Sequence, residues 1–408
     1  MNEPSKPEIK KSGGFSCSYC GDAPINHLLS FLESIFSVTL DNHAKKFFKY
    51  VPRFVKDFVD LVPEFLFRTL AFFKLVEFSP FIDKAYTFRS RIIWEEAKRR
   101  GIVMEQVIFR SRPLDYYRAI LNGKFFYFES IPIQSEFLDT AQNWDDKVIL
   151  KGELKKHHIP IPDYCELSFF GFKKNTEKIF SKLARYNKTL IVKPRVGSRG
   201  RHTITNIHTL EQFQAGINVA GEICSYLIAE EYLSGSVCRA TLVSGMLAGF
   251  YRGQAPTLVG DGHQTIQELI DKKDKKRRNR VEPIRLGQEL HDHVGRFGFK
   301  LQDILGAGVT LPLSHRIGRL FGGETEEMID NLHPSFVPIF ERAAKVLDLS
   351  VVGFDAIIPD PTKEASSQKW GIIECNTLPF IDLHYFALKG KPRNIAGMIW
   401  DNFFNAPR

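Results

Sequence analysis

The residues best able to do chemistry lie in three short stretches of a 408-residue chain. The first is IVKPRVGSRGR, residues 191–201. An apolar run ends in Lys193, and a loop carrying Gly197, Ser198 and Gly200 follows. Glycines let a loop turn its backbone N–H groups toward an anion, and a nearby lysine adds a point charge, so the stretch suits phosphate oxygens. Lysine and glycine also meet at ordinary turns. The spacing is neither that of a Walker loop nor that of the dinucleotide fingerprint. The other two stretches are VVGFDAII (351–358) and WGIIECN (370–376). Side chains alternate along a strand, so Asp355 shares its face with Val351 and Ile357, a costly place for an unpaired carboxylate. Glu374 and Asn376 are two apart and point to one face. Three oxygen-bearing side chains on two apolar strands could hold a hard divalent cation such as magnesium, which takes oxygen ligands and commonly bridges to phosphates. The alternative is a salt bridge from each acid to an arginine or lysine. On these residues alone the two readings stand level.

The elements that must position these groups read as strands and helices in alternation from Asp146 to the end. TLIVKP, YLIAEE, CRATLVS, VVGFDAII and WGIIECN have strand character, and the stretches after Thr209, Thr265, Pro334 and Arg393 have helical spacing. Before them, RSRIIWEEAKRRGI predicts a helix stopped at Gly101. The strand-like VIFR and NGKFFYF follow, with Asn122-Gly123 as a turn. Earlier still, about Pro24 to Pro80 is rich in phenylalanine. Phe54, Val55, Phe58, Val59 and Val62 recur at helical spacing opposite Arg53, Lys56, Asp57 and Asp60, and Phe65, Leu66, Leu70 and Phe73 repeat the pattern. Two readings fit these short amphipathic helices. They pack on the main body or a partner, or they touch a membrane surface, with Lys45, Lys46, Lys49, Arg53 and Lys56 close by. The first fifteen or so residues read as a disordered tail.

Composition narrows the classes. Apolar residues at 43% and charged residues at 25% are ordinary for a globular protein. A net charge of +9 suits anionic small ligands but is too weak to argue for nucleic acid. The basic run 271–280, DKKDKKRRNR, reads as a solvated loop or an anion contact. Four of six cysteines stand singly in apolar stretches, as in a reducing cytoplasm. Cys17 and Cys20 form the lone C-x-x-C. With no second pair at zinc spacing, they read as plain thiols, although His27 or His43 could complete a metal site. No apolar signal core and no bilayer-length apolar run is expected from the pattern.

The order of features resolves the level reading of the acids: a lysine and glycine loop, a Glu-Glu strand end, an acid, then Glu-x-Asn. It resembles the ATP-grasp superfamily, in particular the ATP-grasp domain of cyanophycin synthetase, with more distant similarity to D-alanine–D-alanine ligase and the glutathione-synthetase group. The resemblance runs through about two thirds of the chain and rests on DK at 146–147 followed by HHIPIP, IVKPRVGSRGR, EEYLSG, VGDGHQTIQELI, VGFDAII, IIECNTLP and GKPRNIA. It implies an α/β (α+β) ATP-grasp fold over 146–408, with a lid at about 150–235. A small α/β domain at 81–145 and a helical extension at 1–80 would precede it.

The resemblance also implies roles. Lys147 and Lys193 would hold ATP phosphates under the Gly197, Ser198 and Gly200 loop. Glu230, Glu231 and Tyr232 would line the adenine slot. Asp355, Glu374 and Asn376 would bind Mg2+ (two ions, with Mn2+ as a substitute). Arg239, Arg252 and Arg316 would serve catalysis. The implied reaction joins a carboxylate to an amine through an acyl-phosphate, with an amino acid or peptide as substrate, in a cytoplasmic protein that forms homo-oligomers or touches a membrane or partner through residues 24–80. Another implied outcome is a nucleotide-binding module that no longer ligates. His384, Lys391 and Arg393 read either as contacts to an acidic substrate or as ordinary surface residues. Four departures stand out. Val237 replaces a frequent acid, His202 replaces a loop glycine, and Gly318 replaces an asparagine. No Mur-ligase-like domain follows, so the two-step cyanophycin reaction is not expected.

Overall fold

The computed structural model describes residues 17–21, 24–41, 62–81, 87–121, 123–133, 144–168, 176–184 and 189–405. The expected tail, the helical pattern around Phe54, the nearby basic residues, His43 and Asn122 lie outside the described residues.

The N-terminal part contributes a 3-10 turn at Ser18–Cys20 and two helices, α1 (His27–Phe36) and α2 (Val62–Phe72). Asn26 caps α1 by accepting from the Leu29 N–H. Of the apolar residues expected at this helical spacing, Phe65, Leu66 and Phe73 are exposed and Leu70 is half-buried. A small antiparallel meander follows, in strand order β1-β2-β3-β4, from β1 (Val76–Ser79), β2 (Val103–Phe109), β3 (Arg112–Leu121) and β4 (Lys124–Glu129). Helix α3 (Phe88–Arg99), capped by Thr87, lies on it and ends before Gly101, whose φ of +71° is the expected glycine stop. The boundary expected after residue 80 falls behind β1, which pairs with β2 and so belongs to this sheet.

From Asp146 the chain builds a second four-stranded sheet and a five-stranded one. Asp146 caps α4 (Lys147–Lys156) through the N–H groups of Val148 and Ile149. The lid follows, with β5 (Tyr164–Ser168), α5 (Thr176–Leu183), β6 (Leu190–Pro194), β7 (Ile204–Ile207), α6 (Leu210–Gly221) and β8 (Tyr226–Glu231) in strand order β5-β8-β6-β7. Its core is Leu190, Val192, Phe213, Ile217 and neighbours. The central sheet, in order β13-β10-β9-β14-β15, uses β9 (Ser236–Val243), β10 (Met246–Gly253), β13 (Thr325–Glu327), β14 (Val351–Ile358) and β15 (Gly371–Asn376). Between β10 and β13 comes a satellite with its own core. It holds a two-stranded ladder of β11 (Thr257–Val259) and β12 (Thr310–Pro312), with α7 (Ile266–Lys275) and α8 (Gln288–Arg296). A Thr265–Glu268 capping box starts α7, and the basic run at 271–280 begins inside this helix rather than in a loop.

The pleat of the central sheet decides where the chemistry sits. Cys238, Ala240, Leu242, Val352, Phe354 and Ala356 face the main core, against α4 and α9 (Val337–Leu347). The alternate residues Arg239, Thr241, Gly353 and Asp355 face the other way. Toward one end, that second face is covered by the small domain and by α11 (Ile395–Asn405), through Val243, Val351, Ile93 and Trp400. The helices expected after Thr209, Thr265, Pro334 and Arg393 are α6, α7, α9 and α11.

Candidate active site

The three oxygen-bearing residues meet as neighbours on the exposed half of that pleat. Asp355 lies opposite Glu374 in the β14–β15 ladder, and Gly353 lies opposite Asn376. Arg239, directly across from Asp355 on β9, makes a bidentate pair with it: Nε donates to Oδ1 at 2.5 Å and Nη2 to Oδ2 at 2.7 Å. The salt-bridge alternative is therefore realised for Asp355. Each carboxylate oxygen keeps a second lone pair. Glu374 has a cation less near, Lys147 Nζ at 3.9 Å. Burial pushes the Glu374 carboxyl above its ordinary range; Lys147 opposes this and Asp355 adds to it. Asn376 Nδ2 has no hydrogen-bond partner among the described residues, although it is buried. The Asp355 and Glu374 carboxylates with the Asn376 amide oxygen make a set of hard oxygen donors, which fits a magnesium ion.

Lysines from the lid side complete the cleft. Lys147, on the first turn of α4, donates to the Gly197 carbonyl at 2.8 Å, tying the glycine loop toward Glu374. Gly197, Arg199 and Gly200 have φ of +114°, +62° and +61°. Such left-handed turns leave backbone N–H groups free of a ladder and able to meet an anion. Lys193, at the end of β6, lies 2.9 Å from Glu230.

Glu230, expected in the adenine slot, is paired within the protein. Its carboxylate is buried between Lys193 and Lys151, the latter 3.2 Å away. Burial alone would push Glu230 up, but Lys151 and Lys193 hold it below the usual carboxylate range. Glu231 accepts from the Asp163 N–H and from Lys369 at 2.6 Å, and half-exposed Tyr232 donates its backbone N–H to Thr189.

Lys151 is the residue that sequence reasoning missed. It is fully buried, donates to the Ile373 carbonyl of β15 at 2.9 Å and pairs with Glu230 of β8, and so links α4, β8 and β15. Burial pulls its pKa down to about 8, with Glu230 opposing. The available signal was its place four residues after Lys147 on one helix face.

Other expected residues sit apart. Arg252 is opposite Cys238, on the pleat facing away from Asp355, and is paired with Glu326. Arg316 is buried and donates to the Tyr19 carbonyl at 2.6 Å and to Glu289 at 3.0 Å. Both keep unpartnered guanidinium nitrogens among the described residues. His384 is not a surface residue. It is fully buried, with Nδ1 at 2.5 Å from Glu327 and Nε2 at 2.7 Å from Thr241. Arg393 pairs with Asp330. Cys17 and Cys20, expected as plain thiols, lie against His27 and His202.

No family model matches the chain. Cyanophycin synthetase from Synechocystis sp. is 28% identical over 267 residues, 64% of this chain and 30% of that protein. The glutathione biosynthesis bifunctional protein GshAB of Clostridium perfringens is 24% identical over 274 residues, 65% of this chain and 35% of that one. The chain thus spans about a third of the length of the curated relatives it matches. Among solved structures, a bifunctional glutathione synthetase from Pasteurella multocida superposes with a TM-score of 0.50 at 20% identity, covering 78% of this chain and 43% of that one. No helix among the described residues is long and apolar enough to cross a membrane. In fold and in sequence the chain resembles the ATP-grasp ligases, and its four-stranded β5–β8 sheet and five-stranded central sheet form an ATP-grasp architecture.

Proposed function

We propose that the chain is an ATP- and magnesium-dependent ligase that joins a carboxylate to an amine through an acyl-phosphate. The single observation that carries this is the Lys147 bridge, which brings the glycine loop and the Glu374 end of β15 to one ammonium. Relatives named for cyanophycin and glutathione synthesis support an amino acid or peptide substrate.

In the first step a substrate carboxylate oxygen attacks the γ-phosphorus of ATP, and ADP leaves. In the second, an amine nitrogen attacks the acyl carbon, inorganic phosphate leaves, and the amine gives up a proton. The protein's work is positioning and charge neutralisation. Glu374, Asn376 and the second lone pairs of Asp355 would hold a magnesium ion, which would supply neutralising charge for the phosphates. Lys147 and Lys193 meet phosphate oxygens, Lys193 being aimed by Glu230 and Lys151. Arg239 orients Asp355. Arg252, on the opposite face of the sheet, and Arg316, held by Tyr19 and Glu289, take no part in this step. The strand end at Glu230, Glu231 and Tyr232 flanks the nucleotide. The glycine loop, moored by Lys147, shields the acyl-phosphate from water.

The Arg239–Asp355 pair favours a second reading, a nucleotide-binding module without ligation. In that reading the exposed apolar faces of α1 and α2, with Leu28, Leu32, Phe65 and Phe72, serve to attach it to a membrane surface or a partner. A phosphate-release screen with Mg·ATP, offering amino acids and short peptides singly and in pairs, separates the two. Release that depends on one particular carboxylate and amine pair supports the ligase. Nucleotide binding with no release under any pair supports the module.

A further inference from the structure

We infer that Cys17, Cys20, His27 and His202 form a structural zinc site that fastens the N-terminal segment onto the far end of the glycine loop. The four ligand atoms all lie within 4.8 Å of one another. Cys17 Sγ is 3.5 Å from His202 Nε2, Cys20 Sγ is 3.5 Å from the same nitrogen, and Cys20 Sγ is 3.3 Å from His27 Nε2. A tetrahedral zinc ion, with Zn–S of about 2.3 Å and Zn–N of about 2.0–2.1 Å, sets sulfur and nitrogen ligands about 3.5 Å apart. The side chains therefore already stand at the spacing the ion imposes. Two sulfurs and two imidazoles in a tetrahedral arrangement select zinc over harder cations. All four cysteine and histidine ligands come from outside the Glu374 cluster, so the site stands independently of the ligase reading.

The surroundings are those of a metal centre. The His202 Nδ1–H donates to the Val219 carbonyl at 2.8 Å, which leaves the Nε2 lone pair directed at the sulfurs. His27 Nδ1 lies 3.6 Å from the Glu222 carboxylate, the second group that orients a ligating imidazole. Cys20 and His202 are 1% and 0% exposed, and both cysteines are free of disulfide. Backbone contacts extend the clasp. The Tyr19 carbonyl accepts from the His202 N–H at 3.1 Å as well as from Arg316. The Tyr19 hydroxyl donates to Asp292 of α8. At Gly21 an added Cβ would lie 1.5 Å from Arg316 Nη1, so the turn seats the guanidinium directly. Farther along, the Ser225 N–H donates to Ser34 of α1 at 2.9 Å. His202, a departure from the usual loop glycine, is thereby explained. It holds φ of +49°, and the site rewards that strained conformation.

The test uses the full chain purified in the presence of zinc and dialysed. Elemental analysis is expected to give about one zinc per chain. Replacement by Co2+ is expected to give the intense visible bands of a tetrahedral ion and a thiolate charge-transfer band. Cys17→Ser and His27→Ala should lose the zinc and the bands, while the control Cys165→Ser keeps both. In the wild type, two thiols should become reactive only after chelation, a readout that stands even where a variant fails to fold. Wild-type protein without zinc, a Cys17–Cys20 disulfide, or full zinc retention in Cys17→Ser would each overturn the inference.

Discussion

Replacing Lys151 with methionine probes the joint between the lid and the metal-facing strand. The change keeps an unbranched chain of similar length and removes only the ammonium. In the wild type that ammonium lies 3.2 Å from Glu230 and 2.9 Å from the Ile373 carbonyl, with no exposure to solvent. Removing one partner from a buried ion pair costs about 3–5 kcal/mol, because the other charge is stranded. Glu230 retains Lys193 at 2.9 Å, so the expected loss sits at the low end, about 3 kcal/mol. Adding Glu230→Gln strands Lys193 in turn, so the double variant should lose further stability and recover none. Urea unfolding followed through Trp144 and Trp370, both in the main core, measures these differences. A loss below about 1 kcal/mol for Lys151→Met, the range of exposed pairs, or recovery in the double variant, would refute the reasoning.

Further outcomes follow from the same geometry. Between pH 8 and the ordinary lysine value of 10.5, the unfolded chain binds more protons at residue 151 than the folded one does. This group's contribution is therefore present above 10.5 and lost as pH falls through about 8, so the stability gap between wild type and Lys151→Met should widen from pH 7.5 to 10; a constant gap would contradict the burial assigned to Lys151. Glu374→Gln should cut Mg·ATP turnover by about 10²–10³-fold without loss of stability, measured as phosphate release beside urea unfolding. Asp355→Asn should both cut turnover and destabilise, by about 3 kcal/mol, since Arg239 is left unpaired in a buried place. Gly353→Ala would set a Cβ 3.0 Å from Arg239 Cδ and 2.9 Å from Pro379, so it should weaken the Arg239–Asp355 pair and raise KM for Mg·ATP more than it lowers stability.

Much of the site was legible because its polar residues interrupt apolar strands. Asp355, Glu374 and Asn376 stood out as oxygens in otherwise oily runs, and the strand alternation that made them conspicuous is the one that turns them to a common face. Helices α6 and α7 were legible from Thr209 and Thr265, whose hydroxyls cap them. Strand β3 was not, because Arg112, Asp115 and Arg118 break up its apolar pattern and Pro113 sits near its start. The partners of Glu230 were hidden too, since a long acidic side chain at a strand end gives no hint whether it faces a ligand or a buried lysine on another element. The zinc ligands could not be assembled from spacing, because 182 residues separate Cys20 from His202. Their meeting is a product of the lid docking on the N-terminal turn. The exposed phenylalanines of α2 show the converse, a helical period that was readable while the surface it covers was not.

The central claim, that the lysine-lined lid and the Glu374 strand together bind Mg·ATP, is tested most directly by calorimetric titration with magnesium and a non-hydrolysable ATP analogue. One site per chain is predicted in the wild type, with affinity lost in both Lys193→Ala and Glu374→Gln. Undiminished binding in the two variants, or no binding by the folded wild type, would contradict it.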